Sequence, residues 1–338
     1  MFSFSDFFNK RYGKDQYKCL ASGQIVAKKA RTINLTNLLN ILRSKDQTEL
    51  DSQSWMFDGE HRFLQGDPIK ENKVAFIGFP RSGTSFCRKL VENVSGTVTG
   101  GTVSLHTATA LQMMGLKGEW VVDDTTWIAK AHHPLNTERS LNFIGYKTFV
   151  LVRNPLDVFT SYAGAANTLC HSAKPQWEWE QDYPEWWDLW IKKQADHMKK
   201  YYDTIMRHCV DEKKNPVYFV RYEDLVANKK ETLMGLFSFL LETRDLEGSN
   251  AERRIDTIVG QGESAGIMYK LKSTTAKFDA HRQRYTAAQI EYVKENLKEH
   301  LHFFGYTKNS EEENSTGFFD FEEDTQHQDK FMAFRNVN

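Results

Sequence analysis

The chain has 338 residues, 40% of them hydrophobic and 26% charged, the make-up of an ordinary folded protein and not of a disordered one. Forty-four Lys and Arg against 45 Asp and Glu leave a net charge of −1. Nothing global therefore draws the chain to nucleic acid or to an acidic membrane, and any anion site must be built from local basic residues.

Residues 1–72 read as a mostly helical N-terminal extension, with Leu35, Leu38, Leu39 and Leu42 at the 3–4 spacing of one buried helix face. Over residues 73–307 short apolar runs alternate with amphipathic stretches. Val74–Phe79 reads as a buried strand and Thr84–Val94 as a helix with Phe86, Leu90 and Val94 on one side. Strands are also expected at Trp127–Lys130, Lys147–Val152 and Val217–Val220, the last followed by a helix carrying Leu233, Leu236, Phe237, Leu240 and Leu241. This alternation predicts an α/β fold, a P-loop-like central parallel sheet flanked by helices. A final helix is expected to start near Thr286, where Thr286 and Gln289 have capping-box spacing, and to bury Ile290, Val293, Leu297 and Leu301. Residues 308–338 are acidic (Glu311, Glu312, Glu313, Glu322, Glu323, Asp324) and read as a tail outside the core.

The segment Gly78-Phe-Pro-Arg-Ser-Gly-Thr-Ser85 ends a strand and opens a helix, a context that gathers backbone N–H groups and a positive helix end around an anion. Its two glycines and last serine fit the nucleoside-triphosphate loop G-x-x-x-x-G-K-[ST], but Thr84 stands where that loop has its lysine. The positive charge sits earlier, at Arg81. A P-loop kinase is thus disfavoured, while a 5′-phosphate remains a fitting ligand.

Pro80-Arg-Ser-Gly-Thr-Ser-Phe86 resembles, position by position, the P-[KR]-[SG]-G-T-[TS]-[WF] loop of the sulfotransferases that use PAPS (3′-phosphoadenosine-5′-phosphosulfate). The resemblance is closest to cytosolic-type members and covers roughly residues 70–305. It implies that Ser82, Gly83, Thr84 and Ser85 hold the 5′-phosphate, that Arg81 offsets charge on the bridging oxygen, and that Phe86 stacks on adenine. Arg153-Asn-Pro-Leu-Asp-Val-Phe-Thr-Ser161, after the strand, is similar to the family's 3′-phosphate motif and assigns that phosphate to Arg153 and Ser161. An arginine at the carboxyl end of a strand also stands, on physical grounds alone, where α/β folds bind ligands. Tyr222-Glu-Asp-Leu225 is similar to a third motif and places Tyr222 at adenine, with Glu223 and Asp224 bracing the fold.

Lys130-Ala-His-His-Pro134 resembles the K-T-H-x-P segment of cytosolic members. It implies His132 as general base and Lys130 as donor to the sulfuryl oxygens. Imidazole suits a proton transfer near neutral pH. The neighbouring His133 leaves open which of the two faces the cleft. The family's late R-K-G-x-x-G-x-W segment has no counterpart: Lys270–Tyr285 lacks both glycines and the tryptophan, and stays basic through Lys270, Lys272, Lys277, Arg282 and Arg284. Five of the eight tryptophans lie between Trp177 and Trp190, as an aromatic acceptor pocket or as helix-to-sheet packing.

The function so implied is sulfuryl transfer from PAPS, leaving PAP (its desulfated product), to a hydroxyl or amine of a small-molecule acceptor, without a metal. The alternative of another class is a non-catalytic subunit or scaffold of the same fold, with a second copy or an assembly partner. Cys19, Cys87, Cys170 and Cys209 fall at no metal-ligand spacing and suggest no disulfide framework. No apolar run approaches the roughly 18–20 residues of a membrane span, and the start of the chain does not read as a secretory signal. A cytoplasmic setting is the expectation.

Overall fold

The computed structural model describes residues 32–56, 61–66, 69, 72–102, 111–112, 115–132, 145–168, 178–207, 216–260 and 281–306. The acidic stretch from residue 308, His133, Trp177, and Lys270, Lys272 and Lys277 lie outside them.

The described residues open with β1 (Thr32–Ile33) and α1 (Leu35–Arg43), followed by α2 (Gln47–Asp51) and β2 (Phe63–Leu64), which pairs in parallel with β1. The leucine face predicted for α1 is the buried one: Leu35, Leu38, Leu39 and Leu42 all lie in the main hydrophobic core. Asn34 caps this helix by accepting from Asn37 N at 3.2 Å. Within residues 32–72 two short strands, β1 and β2, accompany the helices. Arg43 Nε donates to Leu241 O at 2.8 Å, tying the extension to the body of the fold.

The sheet follows: β3 (Val74–Gly78), α3 (Thr84–Ser95), β4 (Gly100–Gly101), β5 (Gly118–Glu119), β6 (Ile128–Ala131), β7 (Lys147–Val152), α4 (Pro155–Thr168), α5 (Trp179–Asp182), α6 (Pro184–Ile205), β8 (Val217–Arg221), α7 (Tyr222–Ala227), α8 (Lys229–Leu241), α9 (Asn250–Gly260) and α10 (Ala287–Phe303). Six strands form one sheet in the order β5-β4-β6-β3-β7-β8, every pair parallel. Each residue of β3, β6, β7 and β8 is buried, as strands covered by helices on both faces require. At the centre Phe76 and Phe149, paired in register, stack with ring centroids 4.2 Å apart. Truncating Phe149 to Ala would cost about 3–5 kcal/mol.

After β3 the chain crosses to β4 and β5, returns with β6, and then passes to the other side of β3 as β7. This reversal makes a switch point beside β3, the place where open parallel sheets bind ligands at the carboxyl ends of their strands. Residue 286 and the helix after it follow the sequence reading: Thr286 and Gln289 form the capping box of α10. That helix packs on α6, with Trp187 against Tyr285 and Tyr202 against Phe304.

Candidate functional site

The loop between β3 and α3 turns sharply. Arg81 has φ 74°, left-handed for a residue with a side chain, and Gly83 has φ 92°. Only glycine fits at 83, because a Cβ there would stand 2.5 Å from the Tyr222 ring. Gly83 caps α3 without any side-chain hydrogen bond, so the first N–H groups of this twelve-residue helix are left for an anion. Ser82 is fully buried, and its Oγ has no hydrogen-bond partner among the described residues. A buried hydroxyl without a partner inside a phosphate-type loop fits a loop completed by a ligand's oxygens.

The other two motifs close on this loop. Arg153 extends from the end of β7 and donates from Nη1 to the carbonyl of Arg81 at 3.1 Å. Its guanidinium carbon lies 4.3 Å from the centroid of the Tyr222 ring, and its buried Nε has no partner among the described residues. Arg81 turns its own Nε to Ser161 Oγ at 3.0 Å. Ser161, read from sequence as a 3′-phosphate contact, is thus joined to the residue read as a 5′-phosphosulfate contact. Phe86 is buried and meets Tyr222 edge-on at 6.2 Å. Burial raises the Tyr222 hydroxyl above its ordinary range, against the pull of Arg153. Thr84 is buried, and Ser85 follows it in the first turn of α3.

The start of α4 is fixed from behind. Asn154 Oδ1 accepts from Leu156 N at 2.9 Å, capping the helix ahead of Pro155. Glu223 Oε1 accepts from Asn154 N at 2.9 Å and its Oε2 from the Tyr306 hydroxyl at 2.7 Å. Arg221 holds Asp224 at 2.7 Å. Both carboxylates brace the fold, as the sequence suggested.

On the other side of β3, His132 follows β6 and its Nδ1 lies 2.7 Å from Gly78 O. A carbonyl only accepts, so Nδ1 carries the hydrogen and the lone pair of the neutral ring is at Nε2. Lys130, within β6, is almost wholly buried. Burial pushes its pKa down to about 8, Glu119 opposes that and Arg88 adds to it.

Neither Arg88 nor Glu119 stands out in any motif, yet both are buried in this group. Arg88 donates to Glu119 Oε2, to Thr99 Oγ1 at 2.9 Å and to Thr99 O at 2.9 Å. Burial works to raise the Glu119 carboxyl, but the charges of Arg88 and Lys130, the Arg88 hydrogen bond and His132 outweigh it and hold the group below its ordinary range. The sequence signal for this corner is the pair Gly100-Gly101, a place where another group comes close to the backbone.

The tryptophan-rich stretch serves packing first. Trp187 is buried against Tyr285 and donates to Arg284 O at 3.0 Å, and Trp190 donates to Phe159 O at 3.1 Å. From the late basic segment, Arg284 is engaged by Glu180 at 2.6 Å.

A family model described as "Sulfotransferase domain" matches residues 71–259. Among solved structures, the chain is similar to mouse sulfotransferase SULT7A1 complexed with PAP, at 13% identity over 77% of this chain and 91% of that one, with a TM-score of 0.40. It is also similar to a retinol dehydratase in a complex with retinol and PAP, at 14% identity over 74% and 86%, with a TM-score of 0.42. No curated protein matches the chain. No helix of the described residues is long and apolar enough to cross a membrane.

Proposed function

The chain belongs to the sulfotransferase domain family, and on that premise we propose that it moves a sulfuryl group from PAPS to a hydroxyl or amine of a small-molecule acceptor. The observation that carries this reading is the convergence on one loop of Arg153, Tyr222 and Ser161, with Arg153 bonded to the Arg81 carbonyl and Tyr222 against Gly83.

PAPS supplies an activated sulfuryl group on a phosphate leaving group. Ser82, Gly83, Thr84 and Ser85 would hold the 5′-phosphate with the N–H groups at the start of α3. Arg153, with Ser161 beside it, would bind the 3′-phosphate. Tyr222 and Phe86 would flank the adenine. His132 Nε2 would take the acceptor's proton as the acceptor oxygen or nitrogen bonds to sulfur and the sulfur–oxygen bond to the phosphate breaks. Lys130 and Arg81 would offset the charge on the sulfuryl oxygens and on the departing phosphate.

The test is thermal and chemical. PAP at about 100 times its Kd should stabilise the fold by roughly 2.7 kcal/mol, while magnesium-ATP should not. Labelled PAPS offered with a panel of phenols, alcohols and amines should give a labelled product. Tighter binding of magnesium-ATP than of PAP would overturn the reading.

A further inference from the structure

One row of the sheet runs Glu119–Gly101–Lys130. Gly101 of β4 is in register with Glu119 of β5 on one side and with Lys130 of β6 on the other. A Cβ at 101 would stand 2.6 Å from Glu119 Oε1 and 2.7 Å from both its Cδ and its Oε2. The carboxylate therefore fills the room a side chain at 101 would take, between its own strand and the strand of Lys130. Glu119 is 0% exposed and Lys130 4%, so water screens neither.

Oε2 of Glu119 receives Arg88, while Oε1 has no hydrogen-bond donor among the described residues. A buried carboxylate oxygen in that state is costly unless a positive charge faces it. Among the described residues, the charged and titratable groups facing this spot are Arg88 from α3, Lys130 within β6 and His132 at its end. Arg88 is held on Thr99 as well as on Glu119; Lys130, in the same sheet row across the glycine gap, is the next positive charge that acts on the carboxylate.

We propose that Glu119 is a positioning residue that keeps the Lys130 ammonium charged at the transfer site, acting across the gap left by Gly101. Without Glu119, burial and the charge of Arg88 would both favour the neutral amine, which cannot offset negative charge on sulfuryl oxygens. The role rests on reading Lys130 as a sulfuryl contact, so the test reads Lys130 itself.

Protein carrying ¹³C at the lysine ε carbons is titrated, with the Lys130 resonance assigned by its loss in K130R. The Lys130 midpoint, about 8 in the parent, should fall in E119Q by at least about one pH unit, a tenfold change in the ratio of charged to neutral amine. An unchanged midpoint in a cooperatively melting E119Q overturns the proposal. E119Q also removes the negative charge paired with Arg88; if it does not fold, K130M carries the test. That variant replaces the ammonium with an apolar chain of similar length, and by linkage the Glu119 carboxyl midpoint should rise in it. A carboxyl midpoint that does not move overturns the proposal equally.

In labelled-PAPS transfer, the alkaline limb of the pH profile should move down with Lys130 in E119Q and vanish in the E119Q/K130R double variant. A limb that stays in place while the Lys130 midpoint moves would overturn the link to transfer. A shifted midpoint with no transfer to any acceptor would sustain the Glu119–Lys130 coupling and count against the sulfotransferase reading instead.

Discussion

Arg153 donates from Nη1 to the carbonyl oxygen of Arg81 at 3.1 Å, so the arginine read as a 3′-phosphate ligand also holds the loop read as the 5′-phosphate site. One side chain would thereby set the spacing between the two proposed anion sites. Arg153→Ala should weaken PAP binding at least about tenfold, as loss of a charge-assisted contact implies. Arg81→Ala should bind PAP within a few-fold of the parent and lower turnover by on the order of 10²–10³. Calorimetry with PAP and single-turnover transfer separate the two; equal loss of PAP affinity with intact turnover would refute the division.

Gly83→Ala places a methyl group into the Tyr222 ring at φ 92°. It should cost about 1–3 kcal/mol of stability and abolish PAP binding. The double variant Gly83→Ala/Tyr222→Ala should recover part of that stability, because the two residues are in contact and their effects do not add. Urea unfolding of the four proteins checks this, and strict additivity would show that the ring is not what excludes a side chain at 83.

His132→Asn retains a donor near Nδ1 for the Gly78 carbonyl but has no basic nitrogen. It should bind PAP normally and still lose about 10²–10⁴ in transfer, as His132→Ala should. Recovery in His132→Asn alone would mean that the residue orients the strand end and takes no proton.

Lys130 titrates at about 8 in the fold and near 10.5 when unfolded. Between those values the unfolded chain holds a proton that the folded chain has lost, so this group makes stability rise with pH, by about 3 kcal/mol in all. Lys130→Met lacks the titration. Its stability relative to the parent should be highest near neutral pH and fall by that amount as pH approaches 10.5. Urea midpoints of both proteins across this range give the difference directly; a constant difference would mean that Lys130 is not held in a depressed state.

The phosphate loop, Arg153 and Tyr222 stood out through their resemblance to sulfotransferase motifs, each following a buried strand that shows as a mostly apolar run. The helix cap at Thr286 was readable from local spacing, being set by two residues three positions apart. β4 and β5 were not readable: two residues each, with glycine in both, they carry no run and no alternation. The row Glu119–Gly101–Lys130 escaped for that reason, since only strand pairing brings these three residues side by side. Arg88 was hidden in another way, as a charged residue on a helix whose apolar pattern gives no cause to expect it buried.

The bond from the Tyr306 hydroxyl to Glu223, and from Glu223 to the Asn154 amide, has a reach beyond bracing. Tyr306 stands just past the end of α10, and Asn154 adjoins Arg153. A change at residue 306 would leave one oxygen of a buried carboxylate without its donor, and the repair would fall on the turn that aims Arg153. The last described residue of the chain would thus act as a distant setscrew on the proposed anion site, and a truncation that removed it should weaken PAP binding without removing any residue proposed to touch PAP.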